Sequence, residues 1–183
     1  EYQAISADSH VNETPDTFRD RVPAKLRDQA PYLKPNDDGG EGWVLEGTHE
    51  RSFGTGTAVM AKGVARGPKD YVVGLKFSEV ARGSWDPATH LEDMKRDGAD
   101  GSVLYSGMAA KCWDFKNKEL RLACLRAYND WLAEFCSHDP QRLIGVALLP
   151  VEEETLDEAL SELKRVVDMG YRTVEVPMFP HKR

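Results

Sequence analysis

From Asp86 onward the chain repeats one alternation, and that alternation leaves few folds open to it. His90-Leu91-Glu92-Asp93-Met94-Lys95-Arg96-Asp97 places Leu91 and Met94, with Ala88, on one face, and Gly98 follows as a stop, which predicts a helix. Gly101-Ser102-Val103-Leu104-Tyr105-Ser106 reads as a strand. Leu120, Ala123, Cys124, Ala127, Trp131 and Phe135 recur at threes and fours, predicting a long amphipathic helix from Lys118 to Ser137. A strand over Arg142–Leu149 follows, stopped by Pro150. Next comes a helix marked by Leu156, Ala159, Leu160, Leu163, Val166 and Val167 and stopped by Gly170, then a strand over Tyr171–Val176 stopped by Pro177.

Before this regular part, Ala4-Ile5-Ser6-Ala7 reads as a short buried strand running directly into Asp8-Ser9-His10. Thr14-Pro15 signals a helix start, with Thr14 able to cap and Pro15 at the first helical position. Residues 35–83 have a different character. Asp37-Asp38-Gly39-Gly40 is a turn signal, Gly42–Gly47 reads as one arm of a hairpin, and Glu50–Phe53 as the other. The glycine-rich stretch Gly54–Gly74 has no clear period and is expected to lie over the scaffold as an excursion, not to form a second core.

Strand, excursion, helix, strand, helix, strand, helix, strand implies a parallel sheet joined by right-handed crossovers. No Gly-x-Gly-x-x-Gly follows the first strand, which argues against a dinucleotide-binding open sheet. The fold class expected is α/β of the (β/α)8 TIM-barrel type. A whole barrel typically takes about 250 residues, so the 183 residues form a single domain covering about the first four β/α units, with 35–83 inserted after strand 1.

The net charge of −7 argues against nucleic acid or an anionic membrane as partner. No apolar run approaches the roughly 20 residues of a membrane span, and Glu1-Tyr2-Gln3-Ala4 lacks the basic leader and apolar core of a signal peptide. Cys112, Cys124 and Cys136 are odd in number and twelve residues apart, an angular drift of about 120° per step on a helix. They are expected as small buried residues around a helix in a reducing, cytoplasmic setting.

Asp8-Ser9-His10 carries the strongest chemical signal. Residues two apart on a strand point the same way, so Asp8 and His10 converge at the strand's C-terminal end, where barrel enzymes keep their active sites. A carboxylate and an imidazole together suit zinc, manganese or iron. The bland alternative is that Asp8 caps a turn and His10 is merely hydrogen-bonded. Tyr105 and Ser106, at the end of the second barrel strand, could touch a substrate, and His181 follows the fourth strand on the same side. Arg66, Lys69, Arg82 and Lys111 sit in loops and could hold a carboxylate. His49, His90 and His138 are expected to be structural or solvated, with His90 exposed. Arg121, Arg126, Glu119 and Glu152-Glu153-Glu154 read as solvated helix charges.

Ile5-Ser6-Ala7-Asp8-Ser9-His10-Val11-Asn12-Glu13-Thr14-Pro15 resembles the opening of the amidohydrolase-related family of metal-dependent TIM-barrel hydrolases and decarboxylases. Similar stretches follow in the same order over nearly the whole chain. They are Arg21–Lys25 with Arg27-Asp28, Asp38–Gly47, Trp85-Asp86-Pro87 through Leu91–Met94 to Asp97-Gly98, and Arg126–Leu132. The resemblance implies that Asp8 and His10 are metal ligands, and that a divalent ion, zinc first among the candidates, is the cofactor. It places the remaining ligands on the fifth, sixth and eighth strands, beyond Arg183. It leaves Glu13 open as a ligand, a substrate contact or a group behind the ligands, against the plain reading of an acid favouring a helix start. The implied activity is hydrolysis of a small organic substrate by metal-activated water. The alternatives are non-oxidative decarboxylation of an aromatic or muconate-type acid, or a non-catalytic half-barrel that needs a partner chain. Unpaired outer strands lead to an expectation of homo-oligomers.

Overall fold

A computed structural model describes residues 2–50, 52–53, 74–151 and 156–178. Four parallel strands form its main sheet in the order β1 (Ile5–His10), β5 (Gly101–Tyr105), β6 (Leu143–Leu148), β7 (Thr173–Glu175). Among the described residues each crossover carries one α-helix: α1 (Pro87–Asp97), α2 (Lys118–Cys136) and α3 (Asp157–Asp168). The predicted alternation is therefore the observed one, and the sheet is an open section of a barrel in which β1 and β7 stand at the edges.

Local chemistry sets the helix ends. Asp86 caps α1 by accepting from the Thr89 amide at 2.8 Å, with Pro87 in the first turn, and Gly98 closes the helix at φ 73°. Asn117 caps α2 through the amides of Glu119 and Leu120. Gly145 on β6 lets α2 sit close, since a Cβ there would meet the Leu132 side chain at 3.0 Å. Leu104, Leu120, Leu125, Tyr128, Leu132 and Leu143 are fully or almost fully buried in this layer and form its core with Trp131 and Phe135.

Partners in register on parallel strands share a face, which sorts the sheet into two sides. Ser102 bonds His90 of α1, Gly145 meets Leu132 of α2, and Ala147 packs with Val166 of α3, so these positions face the helices. The register pairs His10 with Tyr105, Val103 with Ile144, Val146 with Thr173, and Leu148 with Glu175. These residues occupy the opposite face, which in a closed barrel is the interior.

The excursion builds a small antiparallel sheet, β2 (Tyr32–Pro35), β3 (Glu41–Leu45) and β4 (Thr48–His49). The predicted arm at Gly42–Gly47 is there as β3, but its longer partner is β2, which precedes it. A tight turn at Glu46 and Gly47, at φ 44° and 81°, starts the return arm at Thr48. Past His49 the amides of Glu50 and Phe53 still bond the Trp43 and Glu41 carbonyls at 2.8 and 2.9 Å, so the predicted arm Glu50–Phe53 also runs along β3. Trp43 meets Phe18 edge-on at 5.8 Å, so the excursion packs into the main core. Most of the Gly54–Gly74 stretch, together with Arg66 and Lys69, lies outside the described residues, as do residues 152–155 with their acidic run.

Four local expectations are corrected. Thr14-Pro15 opens a series of turns, not a helix: Thr14 Oγ1 bonds Thr17 Oγ1 instead of capping a backbone amide. Cys112 sits in a short 3-10 segment (Ala109–Asp114) and not on a helix face with Cys124 and Cys136. Cys112 and Cys124 are nonetheless fully buried free thiols, and Cys136 is half-buried. His90 is buried rather than exposed, held between the Gly83 carbonyl at 2.8 Å and Ser102 Oγ at 3.2 Å. Arg121 is likewise buried, donating to the Phe115 carbonyl at 3.0 Å.

Candidate active-site rim

A bulge in β1 decides what its C-terminal end presents. The pairing with β5 slips between Ser6 and Ser9, so these two serines, three residues apart, share the helix-facing side and bond each other at 2.7 Å. The slip turns Asp8 and His10 together onto the inner face. Asp8 Oδ1 lies 3.8 Å from His10 Nδ1, and both side chains are largely exposed, at 81% and 58%. Tyr105 of β5 stands beside His10 with ring centroids 5.9 Å apart, so one expected substrate contact does line the same rim.

Glu175, which sequence reasoning missed, joins them from β7. It is half-buried on the inner face. Burial pushes its carboxyl up, and the field of His10 pulls part of the way back. The signal in the sequence was the alternation Thr173-Val174-Glu175-Val176, which sends a carboxylate inward at the end of the fourth barrel strand.

Glu13 is not on the rim. It is 1% exposed, and its carboxylate accepts from the Met108 amide at 3.0 Å and the Ala109 amide at 3.0 Å, at the start of the short 3-10 segment after β5. Burial raises its pKa to about 7, against those backbone donors, which lower it. With its oxygens committed to backbone, Glu13 is a latch between the β1 rim and the β5 loop. The loop fits tightly over it: a Cβ at Gly107 would lie 2.5 Å from the Val11 carbonyl and 3.2 Å from Glu13 Oε2. Glu13 thus sits at the start of a 3-10 segment 95 residues away in sequence, not at a helix start of its own.

The two cationic candidates among the described residues, Arg82 and Lys111, are otherwise engaged. Arg82 pairs with Asp86 at 2.9 Å, and Lys111 pairs with Glu50. Arg126 is bound to the buried Glu162 at 2.9 Å, so it is not a plain solvated charge. His181 lies outside the described residues. A cleft of about 730 Å³ runs along β1, and its lining takes in Asp8, His10, Asn12, His90 and Asp93.

Asp8 and His10 supply one oxygen and one nitrogen donor of the types that bind zinc, manganese or iron. A catalytic zinc typically has three protein ligands, and among the described residues no group of three His, Cys, Asp or Glu is placed to hold a metal. The rim therefore fits part of a metal centre and not a whole one. Among the same residues no helix is long and apolar enough to cross a membrane.

No family model matches the chain. A curated relative, 2-amino-3-carboxymuconate-6-semialdehyde decarboxylase from Dictyostelium discoideum, is 27% identical over 110 residues, 59% of this chain and 30% of the relative. Among solved structures, an amidohydrolase from Mycobacterium avium subsp. paratuberculosis K-10 superposes with a TM-score of 0.69 at 15% identity, covering 96% of this chain and 50% of that one. A 2,6-dihydroxybenzoate decarboxylase from Rhizobium matches with a TM-score of 0.50 at 20% identity, covering 98% of this chain and 40% of that one. The chain thus spans about a third of the curated relative's length and half or less of these structures. The likeness shows the fold: this is a four-strand section of a TIM barrel.

Proposed function

We propose that this chain is the N-terminal half of an amidohydrolase-type barrel enzyme, a metal-dependent decarboxylase of a small aromatic or muconate-type acid. The observation that carries the reading is the convergence of Asp8, His10, Tyr105 and Glu175 from three strands onto the inner face of the sheet, at its C-terminal end. Decarboxylation is favoured over hydrolysis because the curated relative and one of the structural neighbours are decarboxylases. Hydrolysis of a small organic substrate is the second reading, supported by the 0.69 superposition on an amidohydrolase.

In this proposal Asp8 and His10 contribute two ligands to a divalent centre, zinc first among the candidates, whose other ligands come from the second half of the barrel. Such an ion supplies Lewis-acid polarisation of a substrate oxygen or lowers the pKa of a bound water. The residues of this chain do the rest of what the rim allows. The Tyr105 ring stands beside the His10 imidazole on the same face, with ring centroids 5.9 Å apart. Glu175 places a carboxyl with a raised pKa on the inner face, able to hold or give up a proton closer to neutral pH than an ordinary glutamate.

The test is carbon dioxide release from 2,6-dihydroxybenzoate and related acids, run beside ester and amide hydrolysis, on a polypeptide carrying both halves of the barrel. His10→Ala is expected to lower the decarboxylation rate by at least about 100-fold, the order of loss that follows removal of a group acting directly at a reacting centre. Hydrolysis without carbon dioxide release would move the assignment to the second reading. Turnover indifferent to His10 would overturn both.

A further inference from the structure

We propose that Trp113 is a positioning residue of the rim: it ties the exit of β5 to the exit of β6 and so fixes where Glu175 stands relative to His10 and Tyr105. The tie itself is independent of what the site does. Its consequence for turnover rests on the rim being part of an enzyme's active site.

The evidence begins where the β5–β6 ladder stops. Those strands pair at Ser102–Leu143, Val103–Ile144 and Leu104–Gly145 and no further, while β6 runs on to Leu148 paired with β7 as far as Glu175. The last bond of that second ladder is the Leu149 amide on the Glu175 carbonyl at 3.0 Å. The rim is thus in two pieces, His10 with Tyr105 on β1 and β5, and Glu175 on β7 carried by the end of β6. Among the described residues no strand pairing joins the two pieces at that level. Side chains take over there. The Tyr128 phenol donates to the Val146 carbonyl at 3.4 Å, Asn129 brackets the amide and carbonyl of Leu148, and the Trp113 indole N–H donates to the Leu149 carbonyl at 2.8 Å. Tyr128 and Asn129 belong to α2. Of these three only Trp113 comes from the loop that leaves β5, so it joins the two pieces of the rim directly.

The rest of that loop is built as a strut. At one end Glu13 holds the Met108 and Ala109 amides, and the Val11 amide bonds the Tyr105 carbonyl at 3.0 Å, so the loop moves with β1 and β5. In the middle the Ala110 amide donates to Ser106 Oγ at 3.2 Å and the Lys111 amide to the Met108 carbonyl at 2.9 Å. At the other end Glu46, from the excursion's tight turn, accepts from the Lys116 and Asn117 amides at 2.7 Å each. Trp113 stands between these anchors, so the end of β6 cannot shift without breaking the indole bond. The Leu149 carbonyl also takes the Val151 amide at 3.0 Å, but that turn travels with β6 and adds no tie to β5. Misplacing reacting groups by about 1 Å can cost on the order of 100-fold in rate, so even partial release of the β6 end reaches turnover through Glu175.

Trp113→Phe keeps an aromatic ring against the core and removes the N–H, and its effect is read in two ways. In this chain, amide hydrogen exchange followed by NMR compares Leu149, whose amide bonds Glu175, with Val11, whose amide bonds Tyr105. The expected result is exchange at Leu149 faster by at least about fivefold, with Val11 within about twofold of wild type. Trp131→Phe, which trims a core tryptophan of α2, serves as control and should move both amides together or neither. In the polypeptide carrying both halves of the barrel, Trp113→Phe should lower kcat by at least about 10-fold with KM within about threefold, while Trp131→Phe keeps kcat within about twofold. Leu149 exchange unchanged in Trp113→Phe, or accelerated only in step with Val11, would overturn the tie. Faster exchange at Leu149 with kcat unchanged would overturn its part in turnover. A wild type without any turnover would count against the enzyme reading and the kcat expectation together, whereas the Leu149 comparison would still decide for or against the tie.

Discussion

Replacing Glu13 by alanine is expected to cost about 3 kcal/mol of folding stability, from two backbone donors left unpaired in a buried site plus the cavity, and so to lower the melting midpoint by about 10 °C in a chain of this size. Among the described residues no other acceptor is recorded for the Met108 and Ala109 amides, which end 3.0 Å from the carboxylate. The wild-type carboxyl also imposes a pH dependence of definite sign. Burial raises its pKa from 4.5 to about 7, so the folded state holds this proton over a range in which the unfolded state has lost it. The stability it contributes is complete below pH 4.5, falls as pH rises through 7 by about 3 kcal/mol, and is flat above. The titratable groups that feel its charge, the Cys112 thiol and the Tyr128 phenol, are themselves pushed up, first by burial, and stay neutral across this range. Glu13→Gln keeps an acceptor for the amides and removes the titration. Denaturant melts from pH 5 to 8 should therefore show the downward slope in the wild type and its loss in the glutamine variant. An unchanged slope would remove Glu13 as its source.

Glu162 is expected to matter as much and with the opposite pH signature. Its side chain is fully buried between Arg126 at 2.9 Å, Arg165 at 2.6 Å and Asn129 at 2.8 Å. Burial alone would raise its pKa, but the hydrogen bonds from Arg165 and Asn129, with the charge of Arg165, outweigh it and hold the carboxyl below its ordinary range. That stability is present above the ordinary value of 4.5 and is lost as pH falls below it. Glu162→Ala takes the carboxylate from Arg126, leaves Arg165 with Asp130, and frees Asn129, whose side-chain amide also binds both the amide and the carbonyl of Leu148 at the end of β6. The expected loss at pH 7 is about 3–5 kcal/mol, measured by denaturant unfolding. A loss under about 1 kcal/mol would mean that the cluster is no better than a surface ion pair.

Both residues show what was legible in the sequence and what was not. The alternating elements, the capping of α1 by Asp86 and its closure at Gly98, and the long helix from Lys118 could be read because periodicity and capping are local chemistry. Burial of a polar side chain is not local. Glu13 needs a loop 95 residues on, His90 needs Ser102 and Gly83, and Glu162 needs α2, so the sequence leaves Glu13 open as a ligand, a substrate contact or a group behind the ligands, puts His90 at the surface and gives Glu162 no signal. The apolar residues of α3 misled in the other direction. Leu156, Leu160 and Val167 are as apolar as any core position, and only the geometry separates these exposed residues from Ala159 and Val166, which face the sheet. At the rim, spacing alone brought Asp8 and His10 together, while Glu175 required knowing which side of β7 faces inward.

The central claim is that Asp8 and His10 are one part of a divalent-metal centre. The most direct measurement is a zinc titration of this chain followed by NMR of its histidine imidazoles. The His10 resonances are expected to shift first, and Asp8→Ala to weaken the effect. Binding should be weak enough for gel filtration to strip the ion, because two ligands are one short of a catalytic set. Resonances of His10 that stay fixed while those of another histidine move would contradict it. So would one equivalent of zinc that survives both filtration and the loss of His10.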